Sequence, residues 1–209
     1  MFFRNKKICF IGAHPDDIEL GCGALISNII GKSNDILCLT LSKNQNNPNN
    51  ADLIEEQVKS LTSLNVPKGK IIVADFITRL FSSSRQEICD YLLSLNKEYQ
   101  PDIIFTHSFF DMHQDHEVVS KEVLRIFKQK TIIGFDIPPS SYNFRPNFFF
   151  EVSEKDVKNK LMALINYKTY KNKNYFSKDV ICAQLIKNGV QMQKRYAEAF
   201  DIIRLSYAQ

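Results

Sequence analysis

The sequence predicts an α/β protein with a Rossmann-like, mostly parallel sheet, helices on both faces, and a C-terminal strand and helices completing a pocket. Three observations carry that expectation. Strand-like and helix-like segments alternate from Lys7 to Phe135. The strand-like segments are apolar at nearly every position, as strands covered on both faces require. The chemistry-bearing residues gather where those segments end, the edge at which open α/β sheets hold ligands.

Taken in order, KICFIGA from Lys7 to Ala13 is a short apolar strand that runs into a histidine and two aspartates. From Ile18 to Ile30, the residues Leu20, Ala24, Leu25, Ile29 and Ile30 return at helical spacing. Asp35 to Leu41 is a second strand. The following SKNQNNPNN, with Pro48 in it, resists regular assignment and reads as a polar loop. Asp52 to Leu64 is a helix with Leu53, Val58, Leu61 and Leu64 on its apolar side, and Lys70 to Ala74 is the third strand. Ser84 to Tyr99 is helical on Ile88, Leu92 and Leu95. Pro101 opens a strand from Asp102 to Thr106, a helix runs through Val118, Val119, Val123, Leu124 and Phe127, and Thr131 to Phe135 is a further strand.

Past residue 136 the rhythm changes. FRPNFFFEV reads as one more strand, and Glu154 to Tyr167 and Val180 to Phe200 read as helices joined by a lysine-rich hinge. The expected organisation is one domain over residues 1–209, with a core at 1–136 and a substrate-pocket and helical part at 137–209.

Composition narrows the classes. The chain is 44% hydrophobic and 24% charged, which excludes a disordered or low-complexity protein. Its formal charge of +4 admits an anionic ligand. The charge is not gathered into the stripe that nucleic-acid binding needs, and the lysines between Lys155 and Lys178 read as a solvated helix face. No run approaches the roughly 18 to 20 apolar residues of a membrane span. ICFIGA is too short for a signal peptide and is followed at once by His14, Asp16 and Asp17. Cys9, Cys22, Cys38, Cys89 and Cys182 are odd in number and sit among apolar neighbours, the pattern of free thiols in a cytoplasmic protein. Sixteen phenylalanines suit a well-filled core or a homo-oligomer interface equally, so assembly stays open.

All four histidines fall in two segments, AHPDD after the first strand and HSFFDMHQDH after the strand DIIFT. They are His14, His107, His113 and His116, and they keep company with Asp16, Asp17, Asp111 and Asp115. Imidazole and carboxylate are the ligands of catalytic zinc, which uses three protein groups and leaves a position open. The two segments can supply two histidines and one carboxylate to one ion. Adjacent aspartates after Pro15 point different ways, so one can hold the metal while its neighbour reaches the water as general base. The same donors hold iron, manganese or cobalt, so the cofactor expected is Zn2+ or another divalent transition metal. The turn GAHPDD, with Gly21 and Gly23 beyond it, is not GxGxxG, and its acids oppose a pyrophosphate; no dinucleotide is expected.

AHPDDIELGCG at 13–23, THSFFDMHQDH at 106–116 and AEAF at 197–200 together resemble the LmbE-like, or PIG-L, family of zinc-dependent N-deacetylases across nearly the whole chain. The resemblance implies removal of an N-acetyl group from an amino sugar by zinc-activated water. It implies His14, Asp17 and His116 as metal ligands and Asp16 as general base. It also implies a protonated His113 steadying the oxyanion, with Asp115 orienting a histidine beside it. His107 is either structural or a support behind the ligands. Arg79 and Arg85 resemble the branch that acts on sugar nucleotides and on polysaccharide or antibiotic building blocks, because guanidinium suits phosphate or carboxylate. Tyr142, Asn143 and Arg145 would line the sugar pocket and Glu198 would approach the site, with ordinary surface roles open for all of these.

Two departures stand out. The family's arginine, three residues before Glu56, falls at Leu53, and its glutamine falls at Tyr170. The substrate expected is a small N-acetylamino sugar, phosphate- or nucleotide-linked. The alternatives are hydrolysis of a non-sugar amide or thiol-conjugated glycoside, and a non-catalytic binding or scaffold role.

Overall fold

The structure, a computed structural model, describes residues 2–206. Five parallel strands form most of the sheet: β1 (Lys7–Gly12), β2 (Asp35–Thr40), β3 (Ile71–Val73), β4 (Ile103–His107) and β5 (Thr131–Phe135). Two further strands, β6 (Phe148–Glu151) and β7 (Ala197–Arg204), close one side, with β7 antiparallel to both β5 and β6. The order is β3-β2-β1-β4-β5-β7-β6.

Side chains alternate across a strand, and here both faces are dry. Ile8 and Phe10 of β1 join the core built by α1 (Asp17–Ile29), α2 (Leu53–Ser63), α5 (Glu154–Leu164) and α6 (Lys178–Val190). Cys9 and Ile11 join the opposite core, under α3 (Arg85–Tyr99) and α4 (Gln114–Ile126). That double burial is why the strands read as unbroken apolar runs. Gly21 of α1 lies against β5, where an added Cβ would sit 2.5 Å from the Phe135 ring.

The expected helix from Val180 to Phe200 is corrected. α6 ends at Val190, and AEAF begins strand β7. Alanine and glutamate are good helix formers, so local propensity favoured the helix. Tertiary packing overrides it: β7 fills the slot between β5 and β6, and Phe200 packs edge-on against Phe105 and beside Phe148. The helix expected to reach Tyr167 stops at Leu164, and a single tight turn at Lys168–Tyr170 follows.

The chain leaves β1 toward β2 on one side and returns to β4 on the other, so a crevice opens between the carboxyl ends of β1 and β4. Both histidine-bearing segments end there.

Candidate active site

After β1 the chain turns sharply through His14 and Pro15 into α1. Asp16 occupies the N-cap position with φ 98°, a conformation a non-glycine residue holds only under support. Asp17 supplies part of that support, its Oδ2 accepting the His14 backbone N–H at 2.7 Å. Asp16 makes no capping hydrogen bond of its own, which leaves its carboxyl on the wall of a cavity of about 700 Å³.

The second segment is organised by its own side chains. Asp111 Oδ1 accepts the His113 N–H at 2.9 Å, and His113 caps α4 by accepting the Asp115 N–H on Nδ1. Asp115 and His116 then fall in the first turn of that helix.

The two segments meet at three atoms. His14 Nδ1 lies 3.2 Å from His116 Nε2, and Asp17 Oδ2 lies 3.7 Å from the first and 3.5 Å from the second. Ligand atoms around a tetrahedral zinc, with bonds of ~2.0–2.1 Å, stand roughly 3.3–3.4 Å apart. The other ring nitrogens are taken: His14 Nε2 donates to Asp115 Oδ2 at 2.9 Å and His116 Nδ1 to Asp111 Oδ2 at 2.8 Å. Two imidazole lone pairs and a carboxylate oxygen therefore face one another, an arrangement that calls for a cation between them. Histidine donating its far nitrogen to a carboxylate is the usual support of a metal ligand. The residues present fit a divalent metal.

Two overlapping groups able to hold a metal share His116, namely His14–His113–His116 and Asp17–His107–His116. His107 is spoken for. Its Nε2 accepts the Ala13 N–H at 2.9 Å, and its ring stacks on His116 at 3.7 Å, so it braces the ligands from beneath.

Electrostatics separate the acids. Burial, then the neighbouring Asp17 charge, pushes Asp16 well above the usual carboxylate range, and Lys173 works against that rise. Burial would raise Asp17 as well, but the imidazoles of His116, His107 and His14 reverse it and hold the group low. Two adjacent carboxyls are thus driven in opposite directions, the pattern that separates acid–base partners in a site. Burial and His107 bring His116 down to about 4, which keeps its lone pair available at neutral pH. Burial and His14 also lower His113. With Nδ1 accepting the Asp115 N–H, it is Nε2 of His113 that is left to serve as a donor.

His14, Asp16, Asp17, His113, His116 and Arg79 line the cavity. Asp115 lies beneath it, fully buried, accepting from His14 and from the Arg79 backbone N–H at 2.7 Å. The structure places the other expected substrate residues elsewhere. Arg85 pairs with Glu122 between α3 and α4. Tyr142 is 87% exposed, Asn143 accepts from Arg145, and Arg145 lies over the Phe110 ring, all past the turn whose Pro139 and Ser140 reach the wall. Glu198 points away into the core, where it accepts the N–H groups of Ala24 and Leu25 and pairs with Lys160 at 2.6 Å.

Several wall residues were not singled out from sequence. Asn44, Asn46, Asn47, Asn49 and Asn50 come from the polar loop after β2, and Lys173 and Tyr175 from the stretch after α5, beside Tyr170 at the position of the family glutamine. The asparagine run carried a usable signal, since it leaves the carboxyl end of a strand. Leu53, where the family arginine would stand, is fully buried in the core. Glu56 accepts the Thr169 N–H at 3.1 Å and so anchors the turn bearing Tyr170.

With this geometry in view, the PIG-L family, described as GlcNAc-PI de-N-acetylase, matches residues 9–127, more than half of the chain. The chain belongs to the PIG-L family. A curated relative, the uncharacterized deacetylase YaiS of Escherichia coli strain K12, is 30% identical over 175 residues, which is 79% of this chain and 92% of that protein. The PIG-L fold seen here also matches the N,N'-diacetylchitobiose deacetylase of Pyrococcus horikoshii, with TM-score 0.79 and 18% identity over 95% of this chain and 84% of that one. It matches GalB, the 4-carboxy-2-hydroxymuconate hydratase of Pseudomonas putida KT2440, with TM-score 0.74 and 16% identity over 98% of both chains. At such identities the shared property is the fold. Among the described residues, no helix is long and apolar enough to cross a membrane.

Proposed function

We propose that this PIG-L protein is a zinc-dependent hydrolase that removes the N-acetyl group from an amino sugar carrying a phosphate or nucleotide. The observation that supports it most is the convergence of His14 Nδ1, Asp17 Oδ2 and His116 Nε2, each imidazole braced by a carboxylate. These three residues would hold the ion. A zinc ion bound there supplies Lewis acidity toward the amide carbonyl and acidity to a water molecule.

The protein's own groups do the rest. Asp16, raised by burial and lining the cavity, takes the proton of the attacking water and returns it to the leaving amine. His113 donates from Nε2 to the oxygen on which negative charge develops. Asp115 positions His14, and Arg79 reaches for the anionic part of the substrate. The asparagine loop offers amide donors and acceptors for sugar hydroxyls, and the curated and structural relatives include deacetylases, one of them acting on diacetylchitobiose. The five free cysteines support a cytoplasmic setting.

The decisive experiment measures acetate release from a panel of N-acetylamino-sugar nucleotides, phosphates and simple N-acetyl sugars, with zinc, after chelation, and with Asp16→Asn as the blank. Zinc-dependent release that the variant lacks is the expected result. No release from folded, zinc-loaded protein across the panel overturns the sugar reading. Because a hydratase shares this fold, non-sugar amides and enol acids belong in the second panel.

A further inference from the structure

Lys173 is the cavity's second cation beside Arg79, and its placement is specific. It lies between the tight turns Lys168–Tyr170 and Asn174–Phe176, with its N–H donating to the Tyr170 carbonyl at 2.9 Å. Its ammonium sits 3.4 Å from the centre of the Tyr170 ring and 5.4 Å from that of Tyr175, so two aromatic faces hold it over the cavity. Those rings are themselves held. Tyr170 stacks at 9° on the buried Tyr167, and its hydroxyl accepts from Asn44 at 3.0 Å.

Among the described residues, Lys173 forms no ion pair. The carboxylates lining the wall, among the described residues, are Asp16 and Asp17, which are engaged in the metal and proton chemistry proposed above. Asp16 and Asp17 act on Lys173 through space but lie beyond ion-pair distance. A cation held on a cavity wall by aromatic faces rather than by a carboxylate contact is arranged for an anion that arrives with the ligand. Amides fill the neighbouring wall, so charge recognition on this side falls to Lys173.

We propose that Lys173, caged by Tyr170 and Tyr175, is a specificity-determining residue that selects amino sugars bearing a phosphate or carboxylate close to the reacting amide. The inference rests on the deacetylase reading for the identity of the sugar, and adds a residue and a charge requirement to it. The competing role is a strut, in which the ammonium merely packs the loop against its tyrosines.

Calorimetric titration of the zinc-loaded protein separates the two. The probes are N-acetylglucosamine, its 1-phosphate, its 6-phosphate, and N-acetylmuramic acid, against wild type, Lys173→Met and Lys173→Arg. Wild type is expected to bind at least one charged probe more tightly than the neutral sugar. Lys173→Met should cut that preference by roughly tenfold to a hundredfold, with Lys173→Arg keeping most of it. The charged probe preferred distinguishes an anomeric phosphate, a ring phosphate and a carboxylate. A wild type without charge preference, or a Lys173→Met protein that keeps it, overturns the proposal. Binding is read apart from turnover, so charge preference without acetate release would refute the deacetylase reading and leave the role of Lys173 standing.

Discussion

His14 Nε2 lies 2.9 Å from Asp115 Oδ2, and that same oxygen accepts the backbone N–H of Arg79 at 2.7 Å. One carboxylate thus ties a proposed metal ligand to the turn that presents a cavity arginine. The turn needs the tie: Arg79 holds φ 70°, and its carbonyl is fastened from the other side by the Gln114 side chain at 2.8 Å. Asp115→Ala should therefore weaken zinc binding by roughly 10–100-fold, the usual effect of removing a ligand's support. Competition with a chromophoric chelator measures it. Unchanged zinc affinity would show that the contact carries no weight in holding the ion.

Asp16 and His116 should fail in different ways. Asp16→Asn keeps the three converging ligand atoms, so metal content stays near one ion per chain while turnover falls by roughly 10²–10⁴. His116→Ala removes one of those atoms and should lose the metal itself. Elemental analysis beside acetate release reads both, and an Asp16→Asn enzyme with full turnover would refute its role as base.

The Lys160–Glu198 pair is structural. Both side chains are 3% exposed; Lys160 also donates to the Leu20 carbonyl, and Glu198 receives two N–H groups of α1. Glu198→Ala leaves a buried ammonium without its counter-charge, which should destabilise the fold by about 3–5 kcal/mol. Lys160→Met with Glu198→Gln should recover part of that loss. Urea unfolding of the three proteins checks the order, and an undiminished midpoint for Glu198→Ala would contradict it.

Glu19 should make stability depend on pH. It is completely buried, its Oε1 accepts from Tyr167 at 2.8 Å, and Ser60 lies beside it. Burial raises it to about 7 against the hydrogen bonds from Tyr167 and Ser60. A carboxyl with a higher pKa in the folded state stabilises fully below its unfolded value, near 4.5, and that contribution is lost as pH rises through about 7. In metal-free protein the loss should approach about 3 kcal/mol between those limits. Glu19→Gln should flatten this part of the profile. Parallel unfolding curves for wild type and variant across that range would exclude it.

How much was legible varied with the reach of the cause. The alternation of Ile8 and Phe10 with Cys9 and Ile11 announced a strand buried on both faces, because period and hydrophobicity are local properties. The histidine-rich segments were legible for the same reason. β7 was not, since AEAF becomes a strand only when β5 and β6 offer their edges. Glu198 was misplaced with it: once 197–200 is a strand, alternation turns that carboxylate toward α1 and Lys160. Arg85 was equally ambiguous, because its partner Glu122 lies 37 residues away, beyond β4 and late in α4.

By itself the sequence determined the alternating α/β architecture, the two segments that bear every histidine, and the family. Short-range patterning and contiguous motifs carry all three. Only the tertiary structure decided which groups share the cavity. The adjacency of β1 and β4 sets His14 against His116 across the crevice, and the packing of the loop after α5 brings Lys173 to the same wall. Such meetings depend on strand order and loop path, which arise from burying whole faces at once and leave no mark in any short stretch of chain.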